Sequence, residues 1–182
     1  MKKGLMIVNN KVEDGEALFT RALLIRAGYE IKTATLESDT NLKTAYGLSF
    51  KADALIEEVD FDGFDFLVVP GGSHVFDWFE KKERLDEVIK HFNEQEKLLA
   101  LICAAPLFLK NLNILPNKKF TIFSGLEEKL AEGTYLIDAK VVTDGNLITA
   151  RSAGVIYDFV FAILNYFNDD KKLKKLQESI IY

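Results

Sequence analysis

A chain of 182 residues, 48% hydrophobic and 28% charged, is long enough for one domain, 1–182, with a sizeable core. Its net charge of -5 offers no basic footprint for nucleic acid, and no apolar run approaches membrane-spanning length. One cysteine cannot close an internal disulfide, which fits a reducing cytoplasm, and with two histidines it supplies too few ligands for a structural zinc site.

Met1-Lys2-Lys3 precedes an apolar run, Gly4 to Val8, too short for a signal-peptide core, and Leu5-Met6-Ile7-Val8 predicts a buried first strand. Asn9 to Gly15 is a polar loop whose acids would repel phosphate. Ala17, Leu18, Ala22, Leu23 and Ile25 recur at helical spacing and stop at Ala27-Gly28, a helix C-cap signal. Tyr29 to Leu36 predicts a strand. Leu42 to Tyr46 and Leu48 to Phe50 flank Gly47 as a small hairpin, and Asp53 to Glu58 predicts a short helix. Phe64 to Val69 predicts a strand stopped by Pro70-Gly71-Gly72. A helix follows with Leu85, Val88, Ile89 and Phe92 on one face. Leu98 to Ile102 predicts a strand ending on Cys103, with a helix resuming at Leu107-Phe108-Leu109. Phe120 to Phe123 is another short strand. Thr143-Asp144-Gly145 is a hairpin signal between two more. Val155 to Phe167 and Lys171 to Ile181 close the chain as helices. Strands alternating with helices predict a doubly wound α/β fold, whose sites lie at strand carboxyl ends. The loops at 9–16, 70–74 and 103–106 all occupy such positions.

Cys103 carries the sharpest chemical signal. An apolar strand, a turn of small residues and Pro106 opening the next helix match a nucleophile elbow with sulfur in place of a serine oxygen. A helix start favours thiolate, whereas apolar burial opposes it, and many free cysteines serve packing alone. Paired glycines let backbone N–H groups approach a ligand, so Gly72 and the Ala104 N–H are candidate oxyanion donors; a plain strand-to-helix turn explains the glycines equally. Glu16 either compensates a helix dipole or directs a carboxyl group at the thiol, while Glu13 and Asp14 suit dipole compensation. His74 is a candidate general base that reads more simply as a solvated loop histidine, and His91 as a surface or core-edge residue.

Together these segments resemble the ThiJ/PfpI family, and within it the bacterial ThiJ-like branch. The resemblance rests on Leu5 to Val8, Glu16, Val68-Val69-Pro70-Gly71-Gly72, Leu101 to Pro106, and Asp144 to Ser152. The Pro-Gly-Gly and Cys-Ala-Ala-Pro pieces lie about thirty residues apart. The resemblance implies a flavodoxin-like three-layer sandwich with a mostly parallel sheet, similar to class I glutamine amidotransferases, and a homodimer. It implies that Glu16 contacts Cys103, that Gly72 and Ala104 frame an oxyanion site, and that Arg151 lies near the cysteine pocket. Hydrolase-like relatives place histidine directly after the cysteine, where Ala104 stands here, or near Phe123. That departure points away from a Cys-His-acid triad.

The resulting expectation is a cysteine-dependent glyoxalase or deglycase acting on methylglyoxal or its adducts, in stress protection, with no metal or organic cofactor. Cys103 thiolate would attack the carbonyl or hemiaminal carbon and Glu16 would move the proton. Phe123 should wall the pocket, with neither histidine bonded to the sulfur. The alternatives are a peroxide sensor with chaperone behaviour, using a readily oxidised Cys103, and a thiol hydrolase or peptidase using His74 or a partner-chain base.

Overall fold

The structure is a computed structural model describing residues 1–182. The chain runs through β1 (Lys3–Ile7), a π-helical turn (Gly15–Phe19), α1 (Thr20–Arg26) and β2 (Glu30–Thr35). A hairpin of β3 (Asn41–Lys43) and β4 (Ser49–Lys51) precedes β5 (Ala54–Leu55), β6 (Phe66–Val69), α2 (His74–Trp78), α3 (Glu83–Glu94) and β7 (Leu98–Ile102). Next come a 3-10 turn (Ala105–Leu109), β8 (Lys119–Phe120), β9 (Thr134–Tyr135), the hairpin β10 (Val141–Asp144) and β11 (Leu147–Ala150), then α4 (Ile156–Tyr166) and α5 (Asp170–Ser179). No helix is long and apolar enough to cross a membrane.

Seven strands form one sheet in the order β10-β11-β7-β6-β1-β2-β5, all parallel except β10 against β11. Successive side chains on a strand face opposite ways. Leu5, Ile7, Leu67, Val69, Leu99 and Leu101 therefore join one core with α3, while Met6, Phe66, Val68, Leu98, Ala100 and Ile102 join the other with α1 and α4. Each fully buried Leu, Ile or Phe stabilises by about 1.5–3 kcal/mol, which makes these two faces the main source of stability. The result is a flavodoxin-like three-layer sandwich with a mostly parallel sheet.

Several elements differ from their sequence expectation. Asp53 to Glu58 supplies β5, paired with β2, and a 3-10 turn rather than a helix. The segment after Cys103 is a five-residue 3-10 turn. Of Phe120 to Phe123, only Phe120 lies in a strand, paired with β9 outside the main sheet. In the first helix, Ala22 and Ile25 are exposed, while Thr20, Leu23 and Leu24 are buried. The π-helical turn is wider than an α turn and shifts the inward face out of the simple helical phase.

Strand order reverses between β1 and β6, because β2 lies beyond β1 on one side and β7 beyond β6 on the other. A crevice opens there at the carboxyl ends of the strands. The loops after β1, β6 and β7 meet in it, and an isolated antiparallel bridge between Val12 and Gly72 joins the first two.

Candidate active site

The turn at the end of β7 holds Cys103 in the left-handed region, with φ 64°. That conformation costs a non-glycine residue about 1–2 kcal/mol. Hydrogen bonds on both sides impose it: Cys103 N–H donates to the Ala150 carbonyl at 2.8 Å, and its carbonyl accepts from Phe123 N–H at 2.9 Å. Strand pairing on one side and the Phe123 loop on the other thus turn the half-buried sulfur out of the sheet. Pro106 fits the first turn that follows, where an N–H would have no helical partner.

Glu16 reaches the sulfur from the π-helical turn and is 1% exposed. Glu13 Oε2 accepts from Glu16 N–H at 2.6 Å and fixes the entry of that turn. Glu16 Oε2 accepts from Gly71 N–H at 2.8 Å. The carboxyl group also accepts from Ala153 N–H and is hydrogen-bonded to the Cys103 thiol. Burial raises the Glu16 pKa to about 7, against the hydrogen bond from Cys103, with the neighbouring Glu13 adding to the rise. Burial also pushes the Cys103 thiol up, reinforced by the Glu16 charge and hydrogen bond, and Ala104 N–H opposes this only in part. These effects oppose the thiolate that the turn at Ala104 favours. A 3-10 turn of five residues offers little dipole, and a carboxylate beside the sulfur disfavours a second negative charge. Burial raises both groups, so thiol and acid form one coupled pair that resists carrying two negative charges.

The Pro70-Gly71-Gly72 turn lies between acid and thiol. A Cβ on Gly71 would sit 2.7 Å from both the Cys103 Cβ and Glu16 Oε2, so only glycine admits their approach. At Gly72, φ is +112° and a Cβ would lie 2.5 Å from Glu13 N and the Lys11 carbonyl. Neither Gly72 N–H nor Ala104 N–H donates to a protein backbone oxygen. Ala104 N–H is directed at the sulfur. Gly72, Cys103 and Ala104 border a cavity of about 290 Å³ that Phe76, Phe123 and Leu126 help to line.

The remaining candidates divide. Phe123 lines this cavity and is half-exposed. Arg151 lines a neighbouring depression of about 410 Å³ with Tyr135 and Ile137, sharing only Phe123 and Ser124 with the thiol cavity. Arg151 thus lies near the cysteine pocket, as the resemblance implies, without lining it, and its backbone N–H donates to the Lys140 carbonyl at 3.0 Å. His74, by contrast, is corrected. It is fully buried at the start of α2, off the cavity lining. Its Nδ1 accepts from Asn9 Nδ2 at 3.4 Å and its Nε2–H donates to the Pro70 carbonyl at 3.1 Å. Burial lowers its pKa to about 4, so the ring is neutral. His91 lies on α3, 3.0 Å from Asp62 Oδ1. No group of three or more His, Cys, Asp or Glu side chains is arranged to hold a metal.

Sequence reasoning missed Gly71, which both donates to Glu16 and makes room for it. The Pro-Gly-Gly motif signals close approach without telling which glycine meets which group. It also missed Glu13 as the anchor of Glu16. Asp14 does not serve the helix dipole: it accepts from Thr44 Oγ1 at 2.7 Å and Tyr46 N–H at 3.1 Å, pinning the β3–β4 loop.

The same arrangement of chain recurs in known proteins. A family model described as the DJ-1/PfpI family matches residues 2–166. Protein dj-1beta of Drosophila melanogaster is 26% identical over 181 residues, covering 99% of this chain and 97% of that protein. Deglycase PfpI of Pyrococcus furiosus is 31% identical over 156 residues, covering 85% and 93%. Against DJ-1 homolog B of Arabidopsis thaliana, identity is 30% over 93% of this chain, which spans only 39% of that longer protein. The crystal structure of Drosophila DJ-1beta superposes with a TM-score of 0.92, covering 99% of this chain and 97% of that one at 26% identity. The fold is thus of the class I glutamine-amidotransferase type, and the chain belongs to the DJ-1/PfpI family.

Proposed function

We propose that the protein is a cysteine-dependent glyoxalase or deglycase that acts on small α-oxoaldehydes, such as methylglyoxal, or on their adducts. The observation that carries this reading is the buried Glu16 carboxyl hydrogen-bonded to the thiol of an elbow cysteine. The deglycase name borne by the Pyrococcus furiosus relative supports it. Sulfur attacks the aldehyde carbon of R–CO–CHO, and its proton passes by way of Glu16 to the aldehyde oxygen, giving a hemithioacetal. Gly72 and Ala104 N–H groups hold the developing oxyanion. Glu16 carboxylate next takes the former aldehyde hydrogen as a proton and returns it to the adjacent carbon, leaving a thioester. Water displaces the thiol and releases R–CH(OH)–COO⁻ and a proton. One carbon is oxidised and its neighbour reduced, so no external redox cofactor enters. On an amine adduct, attack at the hemiaminal carbon releases the amine.

Because Glu16 acts as base, kcat/KM rises with pH through about 7, where the carboxyl loses its proton. Methylglyoxal conversion to lactate tests the reading. Cys103→Ala should abolish turnover, and Glu16→Gln should remove the ascending pH limb with most of the rate. Equal rates in wild type and Cys103→Ala would sink the proposal. Peroxide sensing would use the same sulfur, whose pKa burial and the neighbouring Glu16 raise rather than lower. A hydrolase using His74 as base is disfavoured, because its ring nitrogens are engaged by Asn9 and Pro70, which leaves only a partner-chain base for that reading. The same proposal assigns the protein to the cytoplasm. It also assigns a homodimer, supported by the partly exposed apolar residues Phe19, Ile25, Tyr157 and Tyr182.

A further inference from the structure

The thiol cavity has a chemistry that methylglyoxal does not use. Its volume is about 290 Å³, room for far more than three carbons, and none of its lining residues carries a charge. Besides Cys103, small residues line part of it: Gly72, Ser73, Ala104, Ser124 and Gly125. The remaining walls are Phe76, Phe123 and Leu126.

Two of these walls stand out. Phe76 is 51% exposed and Phe123 49% exposed, each leaving about half of a large apolar side chain in water. Folding has not recovered the hydrophobic free energy of those rings. Single exposed aromatics are ordinary, but two facing one nucleophile make the pattern of a ligand pocket, apolar walls around a few directed polar groups. Both rings are carried by constrained backbone. Phe123 N–H donates to the Cys103 carbonyl at 2.9 Å, so this ring is tied to the elbow itself. Phe76 stands on α2, one turn after the Gly72 that offers its N–H, and its own N–H donates to the Ser73 carbonyl at 3.1 Å. Lys129 Nζ, 5.8 Å from the Phe76 ring centroid, provides a further contact to that ring. A methyl group covers little of such a surface, whereas an aromatic ring buries on the order of 150 Å² or more.

We infer that the preferred substrate is an α-oxoaldehyde bearing an aromatic or similarly bulky apolar group on its ketone carbon, held between Phe76 and Phe123. The inference rests on the Cys103–Glu16 reaction proposed above and specifies its substrate class. The balance is unchanged: Ar–CO–CHO and water give Ar–CH(OH)–COO⁻ and a proton, with the aldehyde carbon oxidised and the ketone carbon reduced. The aryl group takes no part in bond making; its burial holds the dicarbonyl over the sulfur.

Phenylglyoxal and methylglyoxal are the probes, with mandelate and lactate as the measured products. Each kcat/KM is divided by the rate constant of the same compound with a free thiol, which removes intrinsic reactivity. The corrected ratio should favour phenylglyoxal by about tenfold or more, as expected when an apolar pocket gains several carbons. Phe76→Ala and Phe123→Ala should each lower that ratio by roughly three- to tenfold, the scale of one aromatic contact. Phe76→Leu and Phe123→Leu keep apolar bulk and should recover at least half of the preference on a logarithmic scale. A corrected wild-type ratio near one overturns the inference while leaving dicarbonyl turnover intact. So does a ratio that is the same in the alanine variants as in wild type, or as low in the leucine variants as in the alanine variants. If wild type consumes neither compound faster than Cys103→Ala, the underlying reaction fails instead.

Discussion

Glu16 carries a proton into the neutral range because ionising it would place a charge where water is excluded. Its pKa rises from 4.5 to about 7 on burial. The folded value lies above the unfolded one, so the stability this group confers is complete at pH below 4.5 and is lost as pH rises through about 7. Across that window the folded protein binds the proton that the unfolded chain has released. The shift corresponds to about 3 kcal/mol. Glu16→Gln is neutral at every pH and keeps an oxygen acceptor for Gly71 N–H. Its unfolding free energy in urea should therefore match wild type near about pH 4.5 and exceed it by up to about 3 kcal/mol near about pH 8. A stability difference that stays constant between those pH values would rule out the buried-acid account. The group that supplies the base thus destabilises the fold at the pH where it acts, a cost common at reactive sites.

The turns that aim these groups are built from contacts distant in sequence. Asn9 Oδ1 accepts from Leu36 N–H at 2.9 Å and Thr35 Oγ1 at 3.1 Å, while its amide meets His74. His74 in turn donates to Pro70, so the carboxyl ends of β1 and β2 hold the Pro-Gly-Gly turn from behind. His74→Leu leaves the Pro70 carbonyl without this donor, a loss of about 1–3 kcal/mol. We expect chemical denaturation to show that loss, and kcat to fall more than KM rises as the Gly71 and Gly72 N–H groups lose their placement. His74→Gln, which retains an N–H donor, should restore part of both. Wild-type stability in His74→Leu would remove the histidine from this role. This chain of bonds also marks where sequence reading stopped. The apolar spacing of Leu85, Val88, Ile89 and Phe92 made α3 legible, and the run ending at Cys103 made the elbow legible, because both signals are local. His74 looked solvated because its partner Asn9 stands far away in the chain. The inward face of α1 was misplaced at Ala22 and Ile25 because a π-helical turn leaves no mark in the spacing of apolar residues. That turn also carries Glu16, and removing one residue from it would rotate the acid relative to α1 by about 100°.

Across the molecule, stability should be graded outward from the strand that bears the thiol. Every residue of β7 is fully buried between β6 and β11. Amide exchange at Leu99, Ala100 and Leu101 should therefore require global unfolding, while the β3–β4 hairpin and the two-residue β8 and β9 exchange by local opening. Native-state hydrogen exchange measures this order, and β7 amides exchanging as fast as the hairpin would contradict it. The strand order has a consequence for tolerance. Cys103, the Pro-Gly-Gly turn and Glu16 follow β7, β6 and β1, three neighbours in the sheet. Parallel strands stand about 4.8 Å apart, so the segments that carry sulfur and acid leave strands roughly 10 Å apart across the glycine turn. The sheet acts as a gauge for the reaction distance. Other loops around the crevice can change while that gauge holds, but the segment from β1 to Glu16 must keep its length, because it alone carries the acid from its strand to the sulfur.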